Sequence, residues 1–188
     1  MIAPGFSNES GETRIPGPLR RVLWQCAGRW CFRATFHNWY RVRELILQMF
    51  GARAGPHTKI RRTVRIDQPW NFTAGELVMI GDDASFVAVR PIRLGNFAVV
   101  SQMANVVTEV LDVRRPDGAR FQGAVTIESQ CWVAADALVL PGTHLKEGAV
   151  VGARSVAQGE VSAWTVVAGD PARFLRPRPW KGTTGAAR

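Results

Sequence analysis

The chain has few of the residues that staple a fold, span a membrane or move protons near neutral pH. Its three cysteines, Cys26, Cys31 and Cys131, are an odd and scattered set, which gives neither a disulfide framework nor zinc spacing. No metal site is expected, and a reducing cytoplasm suits unpaired thiols best. No window approaches the ~18 apolar residues of a membrane-spanning helix. The opening stretch MIAPGFSNESGETRIPGP also lacks the apolar core of a signal peptide. The three histidines, His37, His57 and His144, are isolated from one another, and each reads as a surface or packing residue.

Acidic residues are scarce in one region only. Up to residue 65 there are twelve Arg and Lys against three acids, and from Ile66 onward twelve face twelve, so the whole net charge of +9 resides in the first third. That segment also carries Trp24, Trp30, Phe32, Phe36, Trp39 and Tyr40. Basic charge with interfacial aromatics suits contact with an anionic membrane, peripheral to its inner face. Nucleic acid attracts the same charge, but no helix-turn-helix, zinc or RNA-recognition pattern accompanies it, and nucleic acid is not expected as a partner. The plainer reading is a basic helix that caps one end of the domain with its arginines in water, a role compatible with membrane contact.

What the sequence has in abundance is a period of six. Ile127, Val133, Val139, Leu145 and Val151 recur at that interval, and each is followed four places later by a compact residue: Cys131, Ala137, Thr143, Ala149 and Ser155. The same phase runs through Ala74, Ile80 and Phe86, then Leu94, Val100 and Val106. Side chains alternate along a strand, so residues an even number apart can share one inward face, while a corner every six residues folds three short strands into a triangular coil. This is the pattern of hexapeptide β-helix repeats. An ordinary sandwich would not hold one phase so long. Gly81, Gly95 and Gly152, each just after an aliphatic position, are expected to turn corners through positive φ.

Around the ladder, residues 1–16 read as a flexible leader, 17–56 as a basic helical segment, 57–176 as the β-helix domain and 177–188 as a tail. Within the helical segment, Trp39, Val42, Leu45, Ile46, Met49 and Phe50 form one apolar stripe ending at Gly51. Two irregularities interrupt the ladder. One is a slip of two residues at Val89-Arg90-Pro91. The other spans Val106 to Ile127, where twenty-one residues stand in place of eighteen and a loop over 109–124 is expected to project from the prism.

Val150-Val151-Gly152-Ala153-Arg154-Ser155-Val156 and Trp164-Thr165-Val166-Val167-Ala168-Gly169-Asp170-Pro171-Ala172-Arg173 resemble the end of a hexapeptide-repeat acyltransferase. Phe50-Gly51-Ala52-Arg53, Pro69-Trp70-Asn71-Phe72 and Ser101-Gln102 are similar, more narrowly, to O-acetyltransferases of colanic acid and other exopolysaccharide synthesis. The resemblance covers roughly residues 19–180. It implies a mainly β fold, a left-handed parallel β-helix with an N-terminal helical segment. It implies a homotrimer, with acetyl-CoA as acyl donor lying between neighbouring prisms and a small-molecule or lipid-linked sugar as acceptor. Matched residue by residue, Ala135 and Ala153 fall at pantetheine contacts, Gln158 and Gly159 in the next coil, and Arg173 and Arg176 at the phosphates. Asn71 and Gln102 are candidates for contact with the acceptor, and Trp132 on an outer face is a candidate for packing against the cofactor or an acceptor sugar and equally suits packing between subunits.

The chain departs from the family in two places. Gly159 stands where the family often has Lys. More consequentially, the family's catalytic histidine falls on Leu111, directly before Asp112. Acetyl transfer from a thioester to a hydroxyl needs a proton acceptor as the hydroxyl attacks, an assistance worth about 10² to 10⁴ in rate. Glu109 and Asp112 are the candidate substitutes, provided burial raises their pKa. Two readings follow: an acetyl-CoA-dependent sugar O-acetyltransferase of polysaccharide synthesis with impaired or altered chemistry, or a catalytically silent β-helix serving as a binding or assembly subunit.

Overall fold

The computed structural model describes residues 16–112 and 117–179. The expected leader, all but its last residue, and most of the expected tail lie outside the described residues. The chain first forms short helices, α1 (Pro18–Leu23), a π-helical turn (Trp24–Gly28) and α2 (Arg29–Arg33), and then α3 (Tyr40–Met49). From Arg53 it winds into a parallel β-helix whose strands stack into three sheets of six, seven and five strands. The first face holds Arg53–Ala54, Phe72–Ala74, Ile92–Leu94, Val125–Ile127, His144–Leu145 and Glu160–Val161. The second begins at Lys59–Ile60 and runs through Trp132–Val133 and Val150–Val151 to Thr165–Gly169, where Ala172–Pro177 returns antiparallel. The third runs from Arg65–Ile66 to Val156–Ala157.

The ladder occupies the prism axis. Ala74 pairs with Leu94, Leu94 with Ile127, and Ile127 with Leu145; Ile80, Val100, Val133 and Val151 form a second column. Phe86, Val106 and Val139 form the third. All are buried, as are Cys131, Ala137, Thr143, Ala149 and Ser155 between them. A single coil could not close off this aliphatic column; only the stack does.

The corners work differently from the sequence expectation. Positive φ falls three places after the aliphatic residue, not one, and is carried mostly by residues other than glycine, including Leu77, Asp83, Phe97, Met103, Gln130, Asp136 and Arg154. A left-handed conformation costs such residues about 1–2 kcal/mol. The coil stack offsets it by bonding each N–H to the previous coil: Phe97 to the Glu76 carbonyl, Met103 to Asp82, Asp136 to Gln102, and Arg154 to Ala135, all at 2.9–3.0 Å. Gly81 and Gly95 serve close approach instead. A Cβ on Gly81 would lie 2.5 Å from the Gln102 backbone nitrogen, and one on Gly95 2.5 Å from that of Ser129.

The second irregularity is also larger than its spacing suggests. Val106 and Ile127 stand on neighbouring faces, so twenty-one residues make a step that takes eight between Phe86 and Leu94. Part of the excess forms an antiparallel hairpin, Glu109–Leu111 against Arg120–Gln122.

The helices cap the open end of the first coil, in a different orientation from that expected. Arg43 of α3 is fully buried, while Trp39, Val42, Leu45 and Met49 are exposed and Ile46 and Phe50 only partly covered. A strand stack ends in carbonyls without partners, which cost free energy if buried unbonded. Arg43 meets one of them and ties it to the segment before α3: its guanidinium donates to the strand carbonyl of Ile60 (2.6 Å), to the Phe36 (2.6 Å) and His37 (2.8 Å) carbonyls and to the Thr35 hydroxyl (2.8 Å). Burial lowers its pKa, with the adjacent Tyr40 acting the other way. Beside it, the Trp24 indole donates to the Ile66 carbonyl at 3.1 Å. The helix therefore turns its arginine inward and much of its apolar stripe outward.

Candidate functional site: a groove and a hairpin edge

Two parts of the prism surface gather the predicted site residues. The first is a groove of about 540 Å3 along the second face and its corner with the third, lined by Ser101, Gln102, Trp132, Ala134, Ala135, Val150, Gly152, Ala153, Val166, Arg176 and Arg178. Trp132 pairs with Val99 below and Val150 above, which turns its indole outward, and its Nε1 donates to the Ser101 hydroxyl at 2.9 Å. The ring is thereby fixed as one wall. Ala134-Ala135 and Gly152-Ala153 follow equivalent inward valines in successive coils, and their small side chains leave the backbone open along the groove. Arg176 is exposed, on the returning strand opposite Val166.

Sequence reasoning missed Ala134, Gly152 and Arg178. Repeat equivalence with Ala135 and Ala153 was the available signal for the first two. Arg178 carried none, because its position follows from the return of the last strand. It donates to the carbonyls of Gln130 (2.7 Å) and Gly148 (2.9 Å) and lies over the Trp164 ring, locking the rim. Arg173 pairs with Ala168 further along that strand and does not line the groove.

The second part is the edge between the third and first faces. The hairpin leaves from it, braced by Gly123 N–H to the Thr108 carbonyl (3.0 Å), Arg90 Nε to Gln122 (3.0 Å) and Arg90 N–H to the buried Thr108 hydroxyl (2.9 Å). Gly123 packs so tightly that a Cβ would meet the Gly142 nitrogen at 2.6 Å. Gln158 and Gly159 lie further along this edge, with the Gly159 carbonyl accepting from His144 N–H at 2.9 Å. The structure thus divides the expected donor contacts, with Ala135, Ala153 and Arg176 at the groove and Gln158 and Gly159 at the hairpin edge, while Gln102, expected as an acceptor contact, and Trp132, expected against cofactor or acceptor, line the same groove.

The hairpin side chains can be placed individually. Leu111 is 59% exposed. Glu109 is bonded by both Arg120 and Gln122. Burial pushes its pKa upward, but these two partners outweigh it and hold the carboxyl below its ordinary range. The expectation of a raised pKa is therefore reversed for Glu109, and a clamped carboxylate of low basicity is a poor proton acceptor. Asp112 N–H donates to the Ala119 carbonyl at 2.9 Å, keeping its partly buried side chain beside Leu111. His144 lies one coil beyond, its Nε2 2.6 Å from Glu128. Asn71 is buried, its amide donating to the carbonyls of Ala88 (2.8 Å) and Val89 (3.2 Å), so it pins the two-residue slip. Among the described residues, no cluster of three His, Cys, Asp or Glu could hold a metal ion.

No family model matches the chain. It is 34% identical over 179 residues, 93% of this chain and 95% of the relative, to the putative colanic acid biosynthesis acetyltransferase WcaF of Escherichia coli. The chain belongs to this acetyltransferase family. A shorter match, 43% over 53 residues and about a quarter of each chain (28% and 27%), joins it to a putative lipopolysaccharide biosynthesis O-acetyl transferase, WbbJ, of the same species. Among solved structures, a maltose O-acetyltransferase from Clostridium difficile superimposes with a TM-score of 0.76 at 23% identity, covering 86% of this chain and 88% of that one. A hexapeptide-repeat acetyltransferase from Vibrio cholerae, solved with acetyl coenzyme A, gives 0.77 at 18% identity over the same shares. The fold is the left-handed parallel β-helix of these hexapeptide-repeat proteins.

Proposed function

We propose that this family member is an acetyl-CoA-dependent O-acetyltransferase acting on a sugar hydroxyl in polysaccharide synthesis, in the cytoplasm. The observation that carries the reading is the groove itself: a fixed indole wall, a floor of Ala and Gly that lets a thin pantetheine arm approach the backbone, and an exposed arginine at its end. Guanidinium suits phosphate through paired donors. Trp132, Ala135, Ala153 and Arg176 hold the donor in this reading, and Gln102 faces the same groove.

A homotrimer completes the site. Gln158 and Gly159 lie on a different edge from the groove, so one donor molecule touches both sets when the hairpin edge of one prism meets the second face of the next. The second face and its corners are suited to a neighbour, with Met79, Trp132, Leu77, Phe97 and Met103 all exposed. Peripheral contact with an anionic membrane through the basic segment belongs to the same reading; no described helix is long and apolar enough to cross a membrane.

The hydroxyl attacks the thioester carbonyl as its proton passes to a base, the C–S bond breaks, and the base returns that proton to the departing sulfur so that CoA leaves as the thiol. Leu111 cannot take that proton. Glu109 is clamped, and Asp112, next to Leu111, is the other carboxylate proposed for the role. The exposed Leu111 equally favours the second reading, a silent binding or assembly subunit. Release of free CoA with a panel of sugars, measured for the parent chain, Leu111→His and Asp112→Asn, separates the two. Activity in the parent that falls in Asp112→Asn supports the transferase. Activity gained only in Leu111→His, by about 10² or more, supports the silent subunit. Absence of calorimetric binding at millimolar acetyl-CoA refutes the transferase reading.

A further inference from the structure

The outward face of the N-terminal cap has no partner within the described chain. Along the first helices Leu19, Val22 and Trp30 are exposed, and along α3 Val42, Leu45 and Met49 are exposed at helical spacing. Phe36 and Trp39 stack 5.6 Å apart in the turn between them, both also exposed. Trp30 and Met49 each expose 73% of their surface. So many large apolar side chains exposed on one short segment mark a candidate interaction surface.

Charge identifies the occupant. Residues 16–65 contain eleven Arg and Lys and a single acid, Glu44. The side chains of Arg33 and Arg41 make no hydrogen bond or ion pair with other described residues. A cleft of about 210 Å3 opens beside Trp30, between Arg29, Arg33 and Arg65. A second copy of the chain would bring the same positive charge to this face, and prisms that pack side by side leave their ends free. An anionic lipid surface instead offers apolar depth for Trp and Leu and phosphates for the arginines.

From the outward apolar stripe and its unpaired arginines we infer that the cap, Pro18 to Met49, is a docking surface for an anionic lipid bilayer. It lies against the headgroups with Trp30, Leu45 and Met49 immersed. The inference rests on the transferase reading only for its purpose, since a docked prism would meet lipid-linked sugar acceptors at the membrane. Arg43 takes no part in docking, because it is committed to closing the coil.

The test is flotation of the full chain with vesicles of phosphatidylcholine alone or with about 30% phosphatidylserine, at low and high salt. Binding is expected to the anionic vesicles at low salt and to weaken as salt screens the charge. Arg29→Glu with Arg33→Glu is expected to weaken it by about 30-fold or more, given roughly fivefold per basic residue at such a surface. Trp30→Ser with Met49→Ser is expected to abolish flotation while circular dichroism and oligomeric state stay unchanged. Failure of the parent chain to float with anionic vesicles overturns the inference. So does a changed oligomeric state in Trp30→Ser with Met49→Ser, which would make this face a subunit interface. Acetyl-CoA titration of the same samples keeps the two ideas apart: donor binding without flotation removes docking alone, and flotation without donor binding removes the transferase alone.

Discussion

Replacing Arg43 is the most direct probe of how the prism is closed. In Arg43→Met the side-chain volume is largely kept, but the Ile60 carbonyl and the Thr35 hydroxyl lose a buried donor. Thr35 retains its own bond to the Phe32 carbonyl, and the Phe36 and His37 carbonyls are only part-buried and can turn to water. One acceptor fully orphaned and one weakened, at about 1–3 kcal/mol each, suggests a loss near 4 kcal/mol. The variant also sheds the cost of burying a guanidinium, so the net expectation is about 2–3 kcal/mol, or a Tm lower by roughly 4–12 °C for a chain of this size. Arg43→Lys should fare little better, because one ammonium cannot reproduce the planar fork. Coils interact mainly with their neighbours, so the damage should be local: hydrogen exchange is expected to quicken over residues 40–66 and to stay slow over 132–151. A loss below about 0.5 kcal/mol, or protection lost evenly along the prism, would refute the assignment of Arg43 as the closing residue.

Other outcomes follow from the same geometry. Gly81→Ala should cost about 2 kcal/mol or more in guanidinium unfolding, because backbone on the next coil must shift to admit the methyl, whereas Gly17→Ala, with nothing within 4 Å, should be nearly neutral. Trp132→Ala should raise the Kd for acetyl-CoA about tenfold by calorimetry, since the indole and its bond to Ser101 form the groove wall; an unchanged Kd would place the donor elsewhere. The Cys131 thiol, pushed up to about 11 chiefly by burial, should resist an aromatic disulfide reagent at pH 8 until the chain unfolds, while the exposed Cys26 and Cys31 react at once. The Glu109 carboxyl is lowered in the folded hairpin, so its contribution is present above the ordinary carboxylate range and is lost as pH falls through the folded value. Corrected for the intrinsic rate, amide protection in the hairpin strands, Glu109–Leu111 and Arg120–Gln122, should therefore fall on acidification in the parent and change less in Arg120→Ala.

The period of six was legible because it is local. Each inward aliphatic and its compact follower obey strand alternation, and Ile127, Val133 and Val139 pair with the columns that their phase assigns to them. The groove was legible in part. Ala135, Ala153 and Trp132 sit on repeat positions, whereas Arg178 reaches the rim only through the antiparallel return of the last strand. The corner glycines were misread, because a missing side chain can signal either positive φ or the approach of another coil, and only the stack shows which.

By itself, then, the sequence determined the prism: a repeating choice of inward side chains that has one economical way to be buried. Tertiary structure decided what happens where the repeat stops. At the open end, carbonyls without partners draw Arg43 inward and turn part of an apolar stripe to the outside. At the hairpin, Arg120 and Gln122 convert Glu109 from a candidate base into a clamp. In both places the outcome depends on partners far away in sequence, because unpaired polar groups at the edge of a regular stack must be satisfied by whatever the fold brings near.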